Sequence, residues 1–213
     1  MSARIADLRF ALIREGTSDD GLIPHIRELL IRAGAPAVVG AARQYKGSTK
    51  DRLQQVFREP SSPDLVFVHR DADAVDPDPR LHEIAGAASE LGHSEQVVAV
   101  VPVQELEAWL LTDESAIRSV VGRPNGRASL GLPAIRRIEA TARPKEVLQT
   151  ACLTACERSG ARRKREQTQF STRRAILLER LDIDGSVTEL PSWQRFVRDL
   201  NAAASRKLSA PGR

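Results

Sequence analysis

With 213 residues and a hydrophobic fraction of 41%, the chain has apolar material for one α/β domain and a smaller appended region. No apolar stretch approaches the ~18–20 residues of a membrane span, and the first residues lack a secretory signal's apolar segment, so a cytoplasmic location is expected. The net charge of +4 and a pI near 9.5 permit a polyanionic partner without requiring one.

Residues 8–14 read as a short buried strand, followed by the turn Glu15-Gly16-Thr17-Ser18-Asp19-Asp20, in which Ser18 or Asp19 can cap a helix. Leu22, Ile23, Ile26, Leu29 and Leu30 recur at helical spacing, so a helix is expected to run to about Ala33 and stop at Gly34. Pro24 fits only its first turn. A second strand is expected at 37–40, then a helix capped by Ser48 or Thr49 and ended by Pro60-Ser61-Ser62-Pro63. Residues 64–69 make the clearest strand, with His69-Arg70-Asp71-Ala72-Asp73 as its exit. A helix over about 80–91 and a fourth strand over 96–101 follow. Leu106, Trp109 and Leu110 then switch to helical spacing. Beyond Thr112 the apolar signal thins; 122–132 reads as a loop, and helices are expected near 144–158, 171–181 and 191–203, with a frayed tail from Ala204.

Strands alternating with helices predict a Rossmannoid α/β domain: a parallel sheet of about four strands flanked by helices, with a C-terminal helical extension. The expected division is an α/β domain over 1–122, a basic helical region over 123–203 and a tail over 204–213.

Acidic residues stand where three of the four expected strands end: Glu15 after the first, Asp71 and Asp73 after the third, Glu105 and Glu107 after the fourth. Carboxyl ends of parallel strands share one edge, where ligands normally bind. Carboxylates gathered there repel one another and lose hydration, and a hard divalent cation relieves both. Asp71 and Asp73, one residue apart, project to the same side if the segment is extended. Glu15 suits metal coordination or the role of general base. The expected cofactor is Mg²⁺ or Mn²⁺.

Glu15-Gly16-Thr17-Ser18-Asp19 with Asp71-Ala72-Asp73 resembles the Toprim domain of topoisomerases, primases and overcoming-lysogenization-defect nucleases. Val103-Gln104-Glu105-Leu106-Glu107-Ala108-Trp109-Leu110-Leu111, Pro144-Lys145-Glu146 and Leu190-Pro191-Ser192-Trp193-Gln194-Arg195-Phe196 resemble a Toprim-like bacterial family labelled a domain of unknown function, the DUF4276 type. The resemblance covers most of residues 8–200. It implies Glu15, Asp71, Asp73 and Glu107 as catalytic and metal-binding residues, with Asp19 as a supporting acid at the metal. It also implies Mg²⁺-dependent nuclease activity and a role in bacterial anti-phage defence beside an ABC-type ATPase. The chain has no Gly-x-x-x-x-Gly-Lys-Ser/Thr motif, so ATP hydrolysis would belong to that partner. The alternative is a regulatory or nucleic-acid-binding subunit with a degenerate Toprim site. A phospho-receiver would place its acidic pair after the first strand, and a topoisomerase needs far more chain.

Residues 158–174 hold seven bases (Arg158, Arg162, Arg163, Lys164, Arg165, Arg173, Arg174) against the single acid Glu166. The stripe fits a nucleic-acid backbone, with Arg158, Arg162, Arg163, Lys164 and Arg165 as candidate contacts, and fits a solvated loop equally well. Cys152 and Cys156 read as small buried thiols, His69 as a hydrogen-bonded strand-end residue, and His25, His82 and His93 as surface or capping residues. Trp109 and Trp193 read as core. Arg43 and Tyr45-Lys46-Gly47 lie in a loop that opens onto the ligand edge or is simply a loop, and Lys145 and Lys164 are candidate phosphate-site cations.

Overall fold

The computed structural model of the protein describes residues 7–209. Its first half carries β1 (Leu8–Ile13), α1 (Leu22–Arg32), β2 (Val38–Arg43), α2 (Thr49–Phe57), β3 (Leu65–His69), α3 (Asp78–Glu90) and β4 (Val97–Val100). Then come α4 (Glu107–Leu110), α5 (Glu114–Val120), α6 (Pro144–Ala155), α7 (Gly160–Thr168), α8 (Phe170–Glu179) and α9 (Pro191–Ser209). These residues form two compact units: 7–70, 78–101 and 195–209 make the first, and 71–77 with 102–194 the second. No helix among the described residues is long and apolar enough to cross a membrane.

The first unit is a Rossmann-like α/β layer with strand order β2-β1-β3-β4, every neighbouring pair parallel. Parallel strands covered on both faces read as continuous apolar runs. β3 is buried at all five positions, and β1 at every position except Arg9. Phe10 packs edge-on to Phe67 at 5.5 Å, and Phe67 to Phe196 of α9 at 6.3 Å. Gly40 makes room for this cluster, because a Cβ there would lie 2.0 Å from the Phe10 ring.

The α1 residues Leu22, Ile26, Leu29 and Leu30 are buried, and Gly34 follows the helix at φ +100, where glycine avoids a Cβ clash. Neither Ser18 nor Asp19 caps α1. A 3-10 turn at Thr17–Gly21 comes first, and the Asp19 carboxylate accepts from the Gly16 backbone N–H instead. Ser48 caps α2, its Oγ accepting from Asp51 N (3.2 Å) while Asp51 Oδ2 accepts from Ser48 N (3.0 Å).

Three expectations for this unit are corrected. α3 starts at Asp78 rather than Arg80, with Pro79 in the first turn, where its missing N–H costs nothing. His25 is buried on α1 rather than at the surface. The tail does not fray at Ala204: α9 continues to Ser209, secured by buried Ala203 and Ala204 and by Lys207 Nζ at 2.8 Å from Asp64 Oδ1. Residues 210–213 lie outside the described residues.

The second unit is helical. Trp109 and Trp193 pack edge to face at 4.9 Å, and Trp109 Nε1 donates to Ser192 Oγ at 2.8 Å, so the buried indole keeps a partner. Leu148, Ala151, Cys152 and Ala155 form the inner face of α6. Both cysteines are buried free thiols, and burial pushes the Cys152 thiol up to about 12. Two helices lie where the apolar pattern predicts none. α5 is capped by Asp113 Oδ1, which accepts from Ala116 N at 2.9 Å. α7 makes the basic stripe a helix rather than a loop, with its bases at 162–165 exposed to solvent.

Candidate functional site

In the first unit the chain leaves β1 and β3 as neighbours, on either side of the point where strand order reverses. Glu15 follows β1 by two residues, and its Oε1 accepts from Arg70 Nε at 2.6 Å. Arg70 Nη1 donates to Thr49 Oγ1 and to Glu83 Oε1, both at 3.1 Å. Thr49 and Arg80 also donate to Glu83, and these contacts, the Thr49 hydroxyl first, hold its carboxyl below the usual range. Arg70 is thus a fixed cation shared by two carboxylates.

Asp19, 3% exposed, is taken up by its own loop. Its Oδ2 accepts from Gly16 N at 3.0 Å and lies 3.2 Å from His69 Nδ1, and its Oδ1 accepts from Ser18 Oγ at 3.4 Å. That arrangement makes Asp19 a support for the Glu15–Gly16 turn. Arg43 and Tyr45 are likewise tied down. Glu59 accepts two bonds from Arg43 (2.6 and 3.0 Å) and one from the Tyr45 hydroxyl (2.6 Å).

In the second unit, residues 71–74 and 102–106 are zipped together. Ala72 N donates to Pro102 O, Asp73 N to Gln104 O and Gln104 N to Ala74 O, at 3.2, 2.8 and 2.9 Å. Asp71 Oδ1 accepts from Leu106 N at 2.8 Å. Asp73 and Gln104 have φ +54 and +61, so neither segment is regularly extended, and the alternation expected for Asp71 and Asp73 does not apply. Left-handed backbone at two non-glycine residues costs about 1–3 kcal/mol each and clusters at functional sites.

Glu105 Oε2 accepts from the backbone N–H of Lys145, in the first turn of α6. The carboxyl of Glu105 is nonetheless raised, by burial first and then by the negative charges of Glu107 and Asp71. Glu107, 3% exposed, pairs with Arg174 Nε at 2.7 Å. Glu107 is thereby paired with a cation of the chain, and Glu105 feels the charges of both Glu107 and Asp71.

Carboxylate oxygens are hard donors of the type Mg²⁺ takes, and Mg²⁺ typically uses only one or two carboxylates while keeping its waters. Among the described residues no group of three or more His, Cys, Asp or Glu is arranged to hold a metal ion. Asp71 and Glu105 interact electrostatically, while Glu107 and Asp19 are engaged by Arg174 and by the Gly16 loop.

The basic residues on and just before α7 are exposed. Arg163 Nη1 donates to Leu153 O at 2.9 Å, and Arg158, Arg162, Lys164 and Arg165 have no carboxylate partner among the described residues. Arg173 and Arg174 are not part of this surface: they pair with Glu166 and Glu107, both at 2.7 Å.

The roles of several of these residues escape sequence reasoning. Thr49, Glu83 and Arg174 carry no local signal, because Arg70 lies 55 residues from Glu15 and Arg174 lies 67 from Glu107. The spacing Glu105-x-Glu107 marks both acids without revealing which one is neutralised.

Fold and residues together define an α/β protein with a four-stranded parallel sheet and acids at the strand exits. The family model described as Domain of unknown function (DUF4276) matches residues 15–201, and the chain belongs to that family. No curated protein and no solved structure matches the chain.

Proposed function

We propose that the protein is a Mg²⁺-dependent nuclease of the Toprim type, hydrolysing phosphodiester bonds. The observation that carries this reading is the pair Asp71 and Glu105, each oriented by a backbone N–H of the second unit, with the Glu105 carboxyl raised by burial first and then by the repulsion of Glu107 and Asp71. A cation relieves that repulsion where a second carboxylate only worsens it. Asp71 and Glu105 would hold the ion, and exposed Asp73 stands beside Asp71 in the same loop. When bound, Mg²⁺ supplies charge stabilisation for the leaving oxygen and orients the phosphate.

The chain's own residues do the remaining work. Leu106 N–H and Lys145 N–H fix one oxygen each of Asp71 and Glu105, so these carboxylates are oriented before a ligand arrives. Within the first unit Glu15, oriented by Arg70, is the candidate general base. The cations at 158 and 162–165 neutralise phosphates along the strand. The test is cleavage of labelled single-stranded, double-stranded and RNA substrates with Mg²⁺ or Mn²⁺. Wild type should cut at least one of them, while Asp71→Ala and Glu15→Ala should abolish cleavage. Full activity in both variants defeats the reading.

A second reading is favoured by a specific observation: Glu107 and Glu15 are already paired with Arg174 and Arg70. On that reading the chain is a non-catalytic subunit that binds nucleic acid or an ATPase partner through a degenerate site. Calorimetry separates the two, because the subunit reading predicts no saturable Mg²⁺ binding at millimolar metal.

A further inference from the structure

Within the first unit, a cleft of about 480 Å³ opens beyond the carboxyl ends of β1 and β2, lined by Arg14, Glu15, Tyr45, Lys46, Gly47 and Arg52 among others. Ile13 and Arg43 are register partners, so residues 14–15 and 44–47 leave the sheet side by side. The cleft volume lies within the range of roughly 300–1,000 Å³ usual for small-molecule sites.

Its charge is lopsided. Three cations line it against the single acid Glu15, which is matched by Arg70 at 2.6 Å. Arg14, 11% exposed at its side chain, meets Asp20 at 2.6 Å. Lys46 and Arg52 have no carboxylate partner among the described residues, and Arg52 uses its Nε on Gly47 O at 3.0 Å. Nearby Asp51 is committed to the Ser48 cap of α2. The excess positive charge is thus left for a ligand.

One wall is aromatic and fixed. Tyr45 cannot swing away easily, because its hydroxyl donates to Glu59 Oε1 at 2.6 Å and Glu59 is gripped twice by Arg43. Gly47 at φ +103 turns the loop back toward α2; a Cβ there would come within 2.8 Å of the Asp51 carboxylate. A flat ring beside unpaired cations suits a molecule with a planar aromatic part and a phosphate.

We propose that this cleft binds one nucleotide unit, its phosphate on Lys46 and Arg52 and its base against Tyr45. The proposal deepens the nuclease reading, since Glu15 lines the cleft, but binding here needs neither metal nor cleavage. The unit can be a free mononucleotide or one residue of a polynucleotide strand.

The test is calorimetry in excess EDTA with AMP, adenosine and a short oligodeoxyadenylate. AMP or the oligonucleotide should bind saturably, adenosine should bind far more weakly, and Lys46→Ala and Arg52→Ala should each lose about tenfold in affinity, the effect of one charge-assisted hydrogen bond. Binding of AMP itself identifies a free nucleotide as sufficient; binding of the oligonucleotide alone identifies a strand. Thermal melting of both variants checks that they fold, and if Arg52→Ala does not, the exposed Lys46→Ala decides alone. The proposal is overturned if neither phosphorylated probe saturates in the millimolar range, if adenosine binds as well as AMP, or if folded variants bind like wild type. Since metal is chelated throughout, these outcomes are independent of whether the protein cuts nucleic acid.

Discussion

The loop after β1 and the zipped loops of the second unit both carry acids just beyond parallel strands, yet their electrostatics differ. In the first unit, Glu15 faces Arg70, and Asp19 is folded into its own turn beside His69. In the second, Arg174 pairs with buried Glu107, and the carboxyl of Glu105 is raised by burial first and then, against the Lys145 N–H, by the charges of Glu107 and Asp71. A carboxylate at a strand exit therefore has no fixed meaning. Whether it is a tether or a ligand depends on the cation the rest of the chain brings to it.

The largest expected effect comes from removing the cation that balances the buried acid. Arg174→Ala leaves Glu107 charged in a dry environment and should cost about 3–5 kcal/mol. Urea unfolding followed by the fluorescence of Trp109 and Trp193 measures it, and a loss below about 1 kcal/mol would mean that the pair is not buried in solution. Arg70→Ala is the counterpart in the first unit. Its partners Glu15 and Glu83 are about a third exposed at their side chains, so water can replace part of the lost bonding. A loss of about 1–3 kcal/mol is expected, smaller than for Arg174→Ala. The reverse order would undo the contrast between the units.

A subtler effect concerns Glu105. Its carboxyl is raised in the folded protein above the ordinary 4.5, so folding favours the protonated form. Below the ordinary value both states are protonated and there is no penalty; as pH rises through the folded value the carboxylate forms, and stability is lost. Glu105→Gln should thus melt like wild type in acid and above it at neutral pH without metal. Excess Mg²⁺ should shrink that difference by binding wild type alone. A pH-independent difference in melting temperature would place the effect elsewhere.

The smallest effects on stability belong to α7. Substituting Arg162 or Lys164 by Ala should change stability by less than about 0.5 kcal/mol, since both side chains are exposed. If α7 follows a phosphate backbone, each substitution lowers the slope of log affinity against log salt by about one. An unchanged slope in the double variant would remove α7 from the interface.

Periodicity and punctuation make β1, α1, β3 and the Ser48 cap legible, because each is a local signal: an apolar run, an i, i+3, i+4 pattern, a serine three residues before Asp51. α7 escapes the same reading because Glu166 is its only buried residue, and the Glu166–Arg173 pair holds it rather than an apolar face. α5 escapes because it is short and its sign is a cap at Asp113. The acids of the candidate site are visible as types at strand exits. Their roles are not, because Arg70, Arg174 and the Lys145 N–H arrive from distant parts of the chain, and because the left-handed turn at Asp73 breaks the alternation that Asp-x-Asp implies.

The most direct test of the central claim is calorimetric titration of Mg²⁺ into wild type, Asp71→Asn and Glu105→Gln, with no nucleic acid present. A cation held by Asp71 and Glu105 predicts saturable binding by wild type and its loss in both variants. Equal heats in all three proteins, or none in wild type at millimolar metal, would contradict a cation held by these two carboxylates.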